Sequence, residues 1–122
     1  MQNAAQTYRM VAKQIANPRE LEADLLLRAA SRLQAVRDGW EGDTQRDLGD
    51  ALLYNRKLWT IFLASVTSSE NPLPTEIRQN VANLALFVMK QTLSTIATPR
   101  PELLNSLINI NCELAAGLRS SA

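Results

Sequence analysis

The sequence predicts an all-α fold, a compact bundle of about five helices joined by short turns, and three observations predict it. Apolar residues recur at helical spacing in five successive stretches. Proline and glycine fall at the places where those stretches would stop and start. With 122 residues, 46% of them hydrophobic and 20% charged, the chain can enclose one core and is read as a single domain over 1–122.

The first stretch runs from about Asn3 to Ala16, with Ala4, Tyr8, Val11, Ala12 and Ile15 on one stripe. The second opens at Asn17-Pro18-Arg19-Glu20, which reads as an N-cap, a proline at the first helical position and an acid at the third. Its apolar stripe is Leu21, Leu25, Ala29 and Leu33, with Leu26, Ala30 and Val36 beside it. On another face Glu20, Asp24, Arg28 and Arg32 follow one another four residues apart and predict a solvated ladder of ion pairs. Gly39 is placed to end this helix in a left-handed conformation, with Trp40 folding back onto the last turn.

Glu41, Asp43, Asp47 and Asp50 lack the regular spacing of an oxygen-ligand calcium loop and have no histidine to join them, so no metal site is assigned. They suit the start of a third helix, capped by Asp43 or Thr44 and running through Leu48, Leu52, Leu58, Trp59, Phe62 and Val66 to about Thr67. Pro72 and Pro74 break the chain before a fourth helix, which carries Ile77, Val81, Leu84, Leu86, Phe87, Val88, Leu93 and Ile96. Apolar residues cover more than half of its circumference, a breadth that predicts deep burial. After Thr98-Pro99-Arg100-Pro101 a fifth helix, from Leu103 to Leu118, is closed by Gly117. Asn109 and Asn111 interrupt its aliphatic run, so at least one must face solvent or satisfy its amide inside.

Several functions are disfavoured by composition. There is no histidine, which removes imidazole from any catalytic triad, metal site or general base, and Cys112 has no partner for a disulfide. The four glycines form neither a phosphate-cradling loop nor a dinucleotide fingerprint. The chain is therefore read as a non-enzyme without a cofactor. A net charge of +1 is too small for general nucleic-acid binding, and direct contact with RNA would rest on Arg28, Arg32 and Arg37 alone. The N-terminus has no apolar signal and the longest uncharged run, Leu58 to Ser69, is too short to span a bilayer, which predicts a cytoplasmic protein with no membrane insertion.

Asn55-Arg56-Lys57-Leu58-Trp59 is unusual in placing an amide, two cations and a tryptophan within two turns of a core-forming helix. Trp59 admits two readings, a core residue and an interface anchor, since Trp and Arg dominate interface energetics. On the second reading, the third and fourth helices form a partner-binding groove lined by Leu58, Trp59, Phe62 and Phe87, with Asn55 adjoining Trp59 and with Arg56 and Lys57 on the rim.

The same block, with Asn71-Pro72-Leu73-Pro74, Leu84 to Val88, Leu107-Ile108-Asn109-Ile110-Asn111 and Ala116-Gly117-Leu118, resembles the FlaF family of flagellar biosynthesis proteins over nearly the whole chain. Relatives often carry Arg where Cys112 stands. The resemblance implies a cytoplasmic chaperone that binds newly made flagellin, helps it reach the flagellar export apparatus, and couples its synthesis to export. An alternative implication is a regulator of flagellin mRNA translation that acts opposite the repressor family FlbT, directly on RNA or through that partner.

Overall fold

The computed structural model describes residues 18–120, and the expected helix over 3–16 and the Asn17 cap lie outside them. Four α-helices and no strand are found among the described residues: α1, Pro18–Asp38; α2, Leu48–Thr67; α3, Thr75–Ala97; and α4, Leu104–Ser120. Single turns of 3-10 helix at Asp43–Asp47 and Pro101–Leu103 lead into α2 and α4. The expected second to fifth helices are all present.

The most extensive packing is between α1 and α4. Alanines explain it: Ala23, Ala29, Ala30 and Ala115 are buried between the larger Leu26, Leu33, Leu104, Leu107 and Ile108, so the two backbones approach closely and leucines fill the remaining space. The pair is antiparallel. Asp24 of α1 is bridged to Arg119 near the end of α4, while Arg37 Nη1 donates to Asn105 Oδ1 near its start at 2.9 Å. The predicted ladder along α1 is thus replaced by pairing between helices, and Arg32 instead lies over the Tyr54 ring of α2, 4.4 Å from its centroid.

The left-handed end predicted for α1 is not formed, since no described glycine has positive φ. The Gly39 amide continues the helical pattern to Ala35 O at 3.1 Å, and a tight turn closed by the Gly42 amide on Gly39 O at 2.9 Å leads the chain away. Trp40 is half-buried against the core. The third helix, expected to be capped at Asp43 or Thr44, begins instead at Leu48, with those two residues inside the preceding 3-10 turn; Asp47, which directly precedes it, makes no side-chain cap bond because its backbone is already helical. Gly117 lies inside α4, which continues to Ser120, and so does not close it.

The turn between α2 and α3 is held by Asn71. Its Nδ2 donates to Ser65 O at 3.0 Å and its Oδ1 accepts from the Leu73 amide at 2.9 Å, an Asx-turn that lets Pro72 and Pro74 sit where no donor is needed. Arg78 Nη1 adds a bond to Ser68 O at 2.9 Å. α3 then packs chiefly on α2 and only slightly on α4.

Candidate interaction surface

The unusual block on α2 is divided by the helix into two faces. Asn55, Leu58, Trp59 and Phe62 point inward and are buried, with Trp59 at 0% exposure. Arg56 and Lys57 are exposed. Phe87, the fourth expected groove residue, stands exposed on α3. These side chains therefore do not line one groove, and of the two readings of Trp59 the structure has the core residue. A helix two residues further along turns by about 200°, so Trp59 and Lys57 cannot share a surface.

Inside, Trp59 belongs to a polar network that joins three helices. Its Nε1 donates to Asn111 Oδ1 at 2.9 Å. Asn111 Nδ2 donates to Asn55 Oδ1 at 2.7 Å and to Leu26 O of α1 at 3.3 Å. Phe62 packs edge-on against the Trp59 ring, with centroids 5.6 Å apart. Asn109, by contrast, faces solvent. The network is not fully satisfied, because Asn55 Nδ2 is buried without a partner.

At one end of the bundle Phe62, Val66, Leu73, Val81, Leu114 and Leu118 surround a cleft of about 80 Å³ that Glu22 also lines. Desolvation there raises the Glu22 pKa, and the nearby Arg19 guanidinium opposes the rise. No group of three or more potential metal ligands is found among the described residues.

The surface itself is decided by α3. Its fully buried side chains are small: Ala85, Val88, Thr92 and Thr95, the two threonines returning their hydroxyls to Val88 O and Gln91 O at 2.7 and 2.8 Å. Its larger apolar side chains divide: Leu84 and Met89 pack partly buried against the core, and the rest face out. Leu86, Leu93 and Ile96 are 60%, 63% and 55% exposed, and Ile77 and Phe87 nearly half. The deep burial expected from its apolar breadth is thus corrected, because breadth on both sides of a helix cannot all be covered by α2 and a slight contact with α4. All exposed large apolar side chains among the described residues lie on α2 or α3, those of α2 being Leu53 and Ile61.

The position of these residues was legible in the sequence as excess apolar circumference, but nothing in the periodicity distinguished the covered side from the bare one. Alanine and threonine opposite leucine on the same helix was the available signal. No helix among the described residues is long and apolar enough to cross a membrane. A family model described as the flagellar protein FlaF matches residues 4–118. No curated protein and no solved structure matches the chain.

Proposed function

The chain belongs to the FlaF family of flagellar proteins, and from that premise we propose that it binds newly made flagellin before export and couples the subunit's synthesis to its delivery. The observation that carries the reading is the outward apolar face of α3. Each large aliphatic or aromatic side chain moved from water to an apolar contact contributes about 1.5–3 kcal/mol, so Leu86, Leu93, Ile96 and Phe87 together offer a partner far more than a solvated helix needs. Flagellin outside the filament has terminal segments whose apolar helical faces are paired only after assembly. A chaperone that covers such a face prevents premature self-association by the helix-in-groove mode. The export apparatus and FlbT are the further partners this reading includes. One binding equilibrium then serves both roles, since occupation by flagellin and availability to a regulatory partner are linked.

The rival reading, direct contact with flagellin mRNA, requires free arginines on α1. Arg32 is engaged with Tyr54, and Arg37 with Asp38 and Asn105, which weighs against it. Co-purification with flagellin, full-length and lacking each terminus in turn, tests the proposal. Retention of full-length flagellin and loss on removing one terminus is the expected result. Failure to retain full-length flagellin, together with salt-dependent RNA retardation by the isolated protein, would replace it with the rival.

A further inference from the structure

Of the five exposed large apolar residues of α3, Leu86, Leu93 and Ile96 share one stripe, and Ile77 and Phe87 lie off it. Ala82, Leu86, Met89, Leu93 and Ile96 follow one another at intervals of four, three, four and three residues, the spacing of the core positions of a coiled coil. Leu86, Leu93 and Ile96 are exposed, Ala82 is half-buried, and Met89 is half-buried and packed against the core. Over 14 residues the seam is about 21 Å long, enough for four turns of a partner helix.

Charge decides what can lie on it. The position following Met89 on the outer flank is Lys90, exposed and without an ion-pair partner among the described residues. On α2, which packs against α3, the exposed Arg56 and Lys57 line a shallow depression with Leu53, Thr60 and Ile61. Carboxylates occur on these two helices only in their first turns, at Asp50 and Glu76. A second copy of the chain laid antiparallel on the seam would bring Lys90 against Lys90. The 17 residues before Pro18 carry Arg9 and Lys13 and no acid at all, so they offer no charge complement either. A helix with carboxylates beside its apolar stripe satisfies both terms.

We propose that the α3 seam is the docking site for an amphipathic helix of a protein partner whose apolar stripe is flanked by Asp or Glu. The function proposed above enters only in identifying that helix as a segment of unpolymerised flagellin. Lys90 orients the helix, the exposed Arg56 and Lys57 of α2 add to the positive charge that steers it, and Leu86, Leu93 and Ile96 hold it.

The test uses the full chain and two labelled peptides of three heptads, both with leucine at the core positions, one flanked by Glu and the other by Lys, titrated by fluorescence anisotropy. The Glu-flanked peptide is expected to bind at least about tenfold more tightly, with affinity falling as salt is raised. A Leu86→Ser/Leu93→Ser variant is expected to lose at least about tenfold while keeping its circular dichroism and unfolding midpoint, since both side chains are exposed. Lys90→Glu reduces the preference between the peptides. Equal binding of the two peptides, binding by neither, or binding unaffected by the leucine substitutions would overturn the proposal. So would a dimer that the double substitution dissociates, which gives the seam to a second copy. A Lys13–Lys90 cross-link that the peptide does not displace gives it to the chain's own N-terminal segment and is equally fatal. Flagellin titrated in parallel separates the two proposals: peptide discrimination without flagellin binding removes the chaperone reading alone, and flagellin binding that survives the double substitution, without peptide binding, removes the seam alone.

Discussion

The amide of Asn111 ties its own helix to two others, receiving the Trp59 indole N–H and donating to Asn55 and to the Leu26 carbonyl. Replacing it with leucine fills the space but orphans a buried indole donor and a buried amide oxygen. Asn111→Leu is therefore expected to cost about 2 kcal/mol or more in urea unfolding, although leucine is the more apolar residue. Trp59→Ala removes the largest fully buried side chain and is expected to cost about 3–5 kcal/mol, so any loss of partner binding follows loss of fold. Asn55 and Trp59 thus belong to the architecture of the bundle, and only Arg56 and Lys57 of that block are presented to solvent. Glu22 has a pKa raised chiefly by burial, with Arg19 opposing. In the window between the ordinary and the raised value the folded chain binds more protons than the unfolded one. The associated stability is complete below the ordinary value and is lost as pH rises through the raised one. Glu22→Gln is accordingly expected to raise the thermal midpoint at neutral pH, with the difference closing as the wild-type carboxylate is protonated in a pH series.

Among the elements, α1 and α4 form the tight antiparallel pair and α3 is the loosely held one, resting on α2 with slight help from α4. Elements with few buried apolar contacts open first. Amide hydrogen exchange is expected to be fastest, among helix interiors, in α3 and slowest in α1 and α4, and bound partner should slow α3 selectively. The Asn71 clamp limits that opening at its N-terminal side. Asn71→Ala, which removes the bonds to Ser65 and Leu73, is expected to cost about 1 kcal/mol and to accelerate exchange near Thr75. Gly117 sits inside α4 with open space where a Cβ would be, so Gly117→Ala should stabilise by about 0.5–1 kcal/mol in the same unfolding assay.

Over the whole molecule, the all-helical class and the four described helices, to within a few residues, are legible in the sequence, because helical periodicity, prolines and acidic first turns are local properties of the chain. The sequence also placed the polar interruptions, since an asparagine in an aliphatic run must either reach water or find a partner. Which of Asn109 and Asn111 did so, and that Asn55 and Trp59 were the partners, depended on residues more than fifty positions apart coming together. The ion pairs follow the same rule: Asp24 has a cation four residues away along α1, yet its partner is Arg119 of α4. Gly39 ends no helix in a left-handed turn, since a glycine permits such a turn without requiring one. The interaction surface was the least legible part. Leucines on every side of α3 satisfy either direction of burial equally, and only the tertiary arrangement decided it, by setting the small Ala85, Val88, Thr92 and Thr95 against the bundle and leaving Leu86, Leu93 and Ile96 without a covering helix. Periodicity records which residues share a face of a helix; which face is covered is fixed by the number and position of neighbouring helices, and that is a property of the assembled fold.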